Sequence, residues 1–353
     1  MRGSTAKDRW STDLCRGLQR RQQCSDVNRL FQRRAYISHS LVKRLGLETE
    51  LQGHTGCVNC LQWNQRGTIL ASGSDDHRVN LWDPFGRRLI RSINTGHTNN
   101  IFSVQFLPQT GDNIVLSGAG DSRVRMHDLN RPNGDECIQV YSCHYARVKR
   151  LAVTAAAPKL FWTAGEDGIV MQFDVRVPPS CTEQQCSHAL INLNAHCGPE
   201  TEVKCIAVNP SKPELLAVGA TDPFVRMFDR RMLSTKRIAM NSVSGDRSFW
   251  ERGFHPVVTF GVEGECYDFP ARAQYFCPGH LPKKHEDFRR RMRPLATTHL
   301  TFSSCGSELL VNLGGEQIYL FDINSRRKPS LLADICELLD KLPHTQGQLH
   351  NCL

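Results

Sequence analysis

LASGSDDHRVNLWD, residues Leu70 to Asp83, begins as a run of apolar and small residues and turns at Ser74-Asp75-Asp76-His77. It returns with Val79 and Leu81 alternating against Arg78 and Asn80, then stops at Trp82-Asp83. Alternation on both sides of a polar turn is the signature of a β-hairpin. Upstream, Gly53-His54 lies 29 positions before Asp83 and is followed by a further strand, Cys57 to Trp63. The same layout returns from His97 to Asp128, from His144 to Asp174 and from His196 to Asp229. In all four copies the turn Asp (Asp76, Asp121, Asp167, Asp222) stands seven positions before the closing Asp. A unit recurring at fixed spacing cannot bury its apolar face alone and needs its neighbours to cover it, so the repetition decides the architecture.

The Gly-His opening and the Trp-Asp ending resemble a WD repeat. That resemblance implies an all-β fold, a WD-repeat β-propeller whose repeats are four-stranded blades. Blade one closes at Asp83 and blade two at Asp128; blade three holds the hairpin Phe161 to Phe173, and blade four holds Leu215 to Phe228. Met232 to Thr298 breaks the period with five prolines and the basic run Arg289 to Arg293, and reads as an insertion or a degenerate blade. A fifth copy follows in Leu300 to Phe302, Glu308 to Leu313 and Ile318 to Asp322, with Gly314-Gly315-Glu316 where the turn Asp would stand. At ~40 to 45 residues per WD blade, five to six blades are visible, and a ring of seven is not closed by this chain. The expected division is a basic helical arm over 1–50, the propeller over 51–323 with the break at 232–298, and a tail over 324–353 with one short helix.

The composition, 40% hydrophobic and 22% charged, is that of a soluble globular protein. No apolar run approaches the ~18 residues of a membrane span and the first thirty residues lack a secretory core, which predicts a protein of the cytoplasm or nucleus. The fifteen cysteines are odd in number and scattered, so most are expected to be reduced core residues. Residues 1–44 carry eleven Lys or Arg against three Asp, a net +8 out of the chain's +9. Within this arm Trp10, Leu14 and Leu18 share one helical face, and Val27, Leu30 and Phe31 repeat the pattern after Ser25-Asp26. Aromatic residues are too sparse among its arginines for a base-stacking platform, which disfavours nucleic acid as a partner.

His54, Ser72 and Asp76 are the residue types of a hydrolase triad, but His97/Ser117/Asp121 and His144/Thr163/Asp167 stand in the same places of the next two repeats, with His196 and Asp222 in the fourth. An enzyme needs one such site, and no catalytic residue is assigned. The WD resemblance implies instead a structural network of turn Asp, loop His and Ser or Thr hydroxyl, completed by the Trp indole. Trp82 supplies that indole in blade one, where the other blades have His127, Phe173 and Phe228, so blade one alone is expected to be complete. Cys57-Val-Asn-Cys60 has metal-ligand spacing, yet residues three apart on a strand point to opposite faces. Cys181, Cys186 and His188 lack a clear fourth ligand. No metal and no cofactor is expected, since no phosphate-binding glycine loop follows a strand.

Two repeats run on from the closing Asp into Arg, as Phe173-Asp174-Val175-Arg176 and Phe228-Asp229-Arg230-Arg231. These endings resemble the W-D-x-R motif by which substrate receptors of cullin-four RING ubiquitin ligases engage the damaged-DNA-binding-protein adaptor, with Phe for Trp in both. Longer strings, including LGLETELQGHTGCVNC, AVGATDPFVRMFD and LLVNLGGEQIYLFD, resemble the adipose-type family of WD and tetratricopeptide repeats proteins, adaptor-associated factors linked to restraint of fat storage. The resemblance covers roughly Asp8 to Asp322; the family's tetratricopeptide helices are absent from it. It implies a non-enzymatic receptor that binds the adaptor through Phe173, Asp174, Arg176, Phe228, Asp229 and Arg231 and through the arm's Leu14, Leu18, Leu30 and Phe31, and that presents an unknown protein substrate. The rival expectation is a chromatin scaffold that binds histones or deacetylases without a ligase.

Overall fold

The computed structural model describes residues 46–132, 134, 136–179, 185–194, 201–233, 235–239, 273–276, 278 and 295–324. The chain forms two compact units, Met1–Gln52 and Gly53–Leu353. In the first, residues 46–52 run without regular secondary structure and are mostly exposed; the arm's helical faces lie outside the described residues, as does the tail after residue 324.

The second unit is a succession of antiparallel sheets. Blade one is β1 (Val58–Trp63), β2 (Leu70–Ser74), β3 (Arg78–Asp83) and β4 (Arg88–Asn94). Blade two is β5 (Ile101–Phe106), β6 (Ile114–Ala119), β7 (Val124–Asp128) and β8 (Cys137–Tyr141). Blade three is β9 (Val148–Val153), β10 (Leu160–Gly165), β11 (Ile169–Asp174) and β12 (Gln185–Asn192). Blade four is β13 (Val203–Val208), β14 (Leu215–Ala220) and β15 (Val225–Asp229). After a 3-10 turn at Arg230–Met232 come β16 (Lys236–Ala239) and β17 (Gln274–Phe276). Blade five is β18 (Ala296–Phe302), β19 (Glu308–Gly314) and β20 (Ile318–Asp322). Each closing Asp is the last residue of its blade's third strand.

The stretch that breaks the period adds no blade among the described residues. Instead β16 pairs antiparallel with β12 as a fifth strand of blade three, and β17 pairs with β15 as the missing fourth strand of blade four. These two strands complete the outer edges of their predecessors; most of the stretch expected to be an insertion or a degenerate blade lies outside the described residues.

Four apolar cores sit at the four junctions between consecutive blades. Ala71, Val79 and Ile93 of blade one meet Ile101, Val104 and Val115 of blade two. Leu116 and Met126 meet Val148, Leu151, Phe161 and Met171 at the next junction. Trp162 and Val170 then meet Ile206, Leu216 and Phe228, and Ala217 and Val225 meet Leu300, Leu309 and Val311. Phe161 and Trp162 are sequence neighbours in different cores because alternate residues of a strand face opposite sides of the sheet. Inner strands both covered by neighbours therefore read as nearly continuous apolar runs.

Blades approach closely where a second strand carries glycine. A Cβ on Gly73 would lie 2.7 Å from Ile101 Cγ2, and one on Gly219 would lie 2.5 Å from Thr297 Cγ2. The inner strands follow one another by direct packing, β1 on β5, β5 on β9, β9 on β13 and β13 on β18. Among the described residues β18 does not pack on β1 in this way. The outward faces of the end blades accordingly expose Val58, Leu61 and Trp63 on one side and Leu310, Ile318 and Leu320 on the other.

All five inner strands share one irregularity. Register skips a residue at Asn59, Phe102, Lys149, Lys204 and Thr298, each a β-bulge one residue after a β-branched Val58, Ile101, Val148, Val203 or Thr297. A bulge bends its strand and re-aims the extra side chain, so these five side chains occupy equivalent places at one end of the blades.

Candidate functional site

The polar groups repeated in the sequence converge on one another inside each blade. In blade one, His54 Nδ1 lies 2.8 Å from Asp76 Oδ2 and His54 Nε2 lies 2.7 Å from Ser72 Oγ, while Trp82 Nε1 donates to the same hydroxyl at 2.8 Å. In blade two, His97 Nδ1 is 2.9 Å from Asp121 Oδ2 and its Nε2 is 2.9 Å from Ser117 Oγ. Blade three repeats the pattern at 2.6 Å for both His144–Asp167 and His144–Thr163. Burial alone would raise the Asp76 carboxyl; hydrogen bonds from His54 and from the amides of Arg78 and Thr55 outweigh it and hold the group below its usual range. Asp121 is held down in the same way by His97. In each of these three blades the His, the turn Asp and the Ser or Thr hydroxyl thus hydrogen-bond to one another.

One expectation about this network needs correction. Blade one is not alone in having four members, because His127 Nε2 stands 2.9 Å from Ser117 Oγ, where Trp82 stands in blade one. An imidazole, like an indole, carries a ring nitrogen that can meet a hydroxyl, and that was the signal in the sequence. In blade four Asp222 holds Arg226, with Nη1 donating to Oδ1 at 3.0 Å and Nη2 to Oδ2 at 2.5 Å. His196 lies outside the described residues.

At the opposite end of the blades the closing Asp residues organise the loops that follow. Asp174 Oδ1 accepts from the Arg176 amide at 2.9 Å and from its Nε at 2.9 Å, while Oδ2 accepts from Nη2 at 2.5 Å. Asp229 does the same for Arg231, at 3.0, 3.0 and 2.6 Å. The Asp-x-Arg spacing lets one carboxylate bind both backbone and guanidinium, a charge-assisted bidentate pair. The Arg176 hydrogen bonds pull the Asp174 carboxyl down to about 2. Both guanidinium side chains remain 68% exposed. They follow the third strands of adjacent blades and so stand on the same side of the propeller. Phe173 and Phe228 do not join them: at 1% and 5% exposure they are core side chains. This corrects their assignment as contact residues; they anchor the strand end, and the Asp–Arg pairs are what a partner can reach. Leu14, Leu18, Leu30 and Phe31 lie outside the described residues.

Cys57 is exposed and Cys60 buried. Cys186 is buried against Met171 Sδ and the His188 ring packs at a tilt on Phe173, and no group of metal-ligand type assembles among the described residues. Cys143 is disulfide-bonded, while Cys57, Cys60, Cys137, Cys205 and Cys305 carry free thiols. No helix of the described residues is long and apolar enough to cross a membrane.

Comparison with known proteins adds the following. The family model for the WD domain, G-beta repeat, matches residues 46–83 and 88–128. WD and tetratricopeptide repeats protein 1 of Homo sapiens is 42% identical over 341 residues, which cover 96% of this chain and 47% of that protein. Protein ALTERED SEED GERMINATION 2 of Arabidopsis thaliana is 38% identical, over 83% of this chain and 37% of that one. DDB1- and CUL4-associated factor 6 of Homo sapiens is 33% identical over 80% of this chain and 28% of its own length. This chain therefore spans less than half the length of these curated relatives. Among solved structures, the β-propeller domain of Cps50 (Swd1) from Myceliophteria thermophila superposes with a TM-score of 0.51 at 19% identity, covering 77% of this chain and 67% of that one, a likeness of fold.

Proposed function

We propose that this chain, a WD-repeat β-propeller protein homologous to WD and tetratricopeptide repeats protein 1, is a substrate receptor of a cullin-four RING ubiquitin ligase. It docks on the damaged-DNA-binding-protein adaptor and presents a second protein for ubiquitination. The observation that carries the reading is the matched pair Asp174–Arg176 and Asp229–Arg231: the same geometry, the same exposure, on adjacent blades. A rigid partner can meet two such groups at once, because the blades that hold them share a packed core. A more distant relative is by its name associated with DDB1 and CUL4, which supports the same partner. The basic arm adds a second contact, with Leu14, Leu18, Leu30 and Phe31 turned to the adaptor.

The WD-repeat fold is typically a non-enzymatic scaffold, and its rigidity suits a role in which one rim binds a fixed component and another binds a variable one. The test is the double charge reversal R176E/R231E, scored by co-purification of the adaptor and cullin and by thermal melting. The expected result is loss of the adaptor with an unchanged melting temperature. Retention of adaptor and cullin by the folded variant, or recovery of histone-associated factors without them, overturns the reading.

A further inference from the structure

Arg176 and Arg231 follow the ends of the third strands; the bulges of the inner strands lie at the other end of the same blades, as the antiparallel register of β9, β10 and β11 requires. At that end charge is concentrated on blades three and four. Glu166 receives Arg147 Nε at 2.6 Å and Lys204 Nζ at 2.8 Å, and Lys204 also pairs with Glu202. Lys149, the bulge residue of β9, reaches the same Glu166 oxygen only at 3.8 Å and lies instead over the Phe102 ring, the bulge residue of β5, at 3.6 Å from its centroid. Arg150 is half-buried, makes no hydrogen bond or ion pair among the described residues, and is near enough to bear on Cys60, Cys205 and His299 of three other blades.

Three cations therefore share two carboxylates, both of which are already bonded to Lys204, and Arg150 pairs with neither. Burial, with Lys204, Arg147 and Arg150 acting in the same direction, holds the Lys149 ammonium below its usual range against the pull of Glu166. A half-buried cation with that surplus around it is stabilised by any further anion that arrives. On blade one the bulge residue is the neutral Asn59, which donates to Asp75 Oδ1 at 2.6 Å. Arg147, Lys149, Arg150 and Lys204 all belong to blades three and four, and complementary charge across an interface fixes orientation as well as partner.

We propose that the bulge end of blades three and four, around Lys149, Arg150 and Lys204, is the docking surface for an acidic segment of a partner protein, recognised through its Glu and Asp carboxylates. The Phe102 ring and the half-exposed Tyr145 offer the apolar floor beside it. This names the cargo surface of the receptor and rests on the function proposed above, but peptide binding and adaptor binding are read separately, so either can fail alone.

The experiment is fluorescence anisotropy on the full chain with a fluorescein-labelled Glu-rich peptide, its Gln counterpart and its phosphoserine counterpart. The Glu peptide is expected to bind with an affinity that falls as salt rises, and the Gln peptide at least about tenfold more weakly. K149E/R150E is expected to lose about tenfold or more for the Glu peptide while retaining the adaptor, which contacts the other end. K149Q/R150Q serves if the reversal fails to fold, with a smaller loss of the same sign. Undiminished binding by either folded variant, equal binding of the Gln peptide, or binding of the phosphoserine peptide alone overturns the proposal.

Discussion

His127 Nε2 sits 2.9 Å from Ser117 Oγ at the place in blade two where the Trp82 indole meets Ser72 in blade one. The replacement costs something at the far side of the ring, because His127 is fully buried and its Nδ1 has no partner. Burial, together with the positive charge of His97 and Arg125, pushes the imidazole down to about 4.

A pH dependence follows. The folded chain prefers neutral His127, so its contribution is fully present above the unfolded value near 6.5 and is lost as pH falls from there toward about 4. The full difference is on the order of 3 kcal/mol. His127→Phe, the residue type of blades three and four, removes this component. Urea unfolding at pH 7.5 and 4.5 should show a smaller acid loss in the variant than in the parent, and equal losses would count against the assignment.

Asp167 accepts from His144 and from the amides of Tyr145 and Ile169 while almost wholly buried. Asp167→Ala strands these donors, and unsatisfied buried groups cost about 1 to 3 kcal/mol each. A loss of about 2 to 4 kcal/mol in urea is expected, and a loss under 1 kcal/mol would show that water replaces the carboxylate.

Gly219→Ala drives a methyl into Thr297 Cγ2, and overpacking of this kind costs about 1 to 3 kcal/mol. Thr297→Ser deletes that methyl and keeps the hydroxyl that donates to the Asp222 carbonyl. The double variant should recover part of the loss, since Cys205 Sγ remains close to the new methyl. Strict additivity in the double-mutant cycle would mean that the two side chains do not interact.

The uncovered faces of the end blades predict association. Leu61 and Trp63 on one and Leu310, Ile318 and Leu320 on the other are each more than two-fifths exposed. Light scattering after size exclusion should give a mass above 39.9 kDa that rises with concentration. Leu61→Lys with Leu320→Lys should lower it. A monomer at every concentration would place the covering surface within the chain.

Removal of residues 1–44 tests the arm. Four apolar side chains offer roughly 1.5 to 3 kcal/mol each as an upper guide before ordering costs, so the truncated chain should bind the adaptor at least about tenfold more weakly. Equal affinity would leave the Arg176 and Arg231 rim as the whole contact.

What could be read from the sequence was whatever repeats. Asp83, Asp128, Asp174, Asp229 and Asp322 each end a third strand, because a carboxylate that caps the following turn has a fixed place in every blade. The hairpins around Asp76, Asp121, Asp167 and Asp222 were visible for the same reason. β16 and β17 were not, being four and three residues long and separated from the strands they join by tertiary pairing alone. Nor were the bulges, since Val-Asn-Cys, Ile-Phe-Ser and Val-Lys-Arg share only a β-branched first residue, and nothing local marks the second as unpaired. The cationic sector escaped notice because Arg147, Lys149, Glu166 and Lys204 are spread over two repeats.

The late strands also set a timetable. Blades one and two receive every strand in order, but β15 ends at Asp229 and its outer neighbour starts at Gln274, 45 positions on. Ribosomes add about 5 to 20 residues per second, so blade four waits several seconds with a bare edge during synthesis. Blade three waits too, since β12 ends at Asn192 and β16 begins at Lys236, after all three earlier strands of blade four have emerged. For that interval two neighbouring edges with unpaired N–H and C=O groups are open together, and each can accept the other's strand. The nascent chain is most exposed to mispairing while the two blades that carry Arg176 and Arg231 are still being finished.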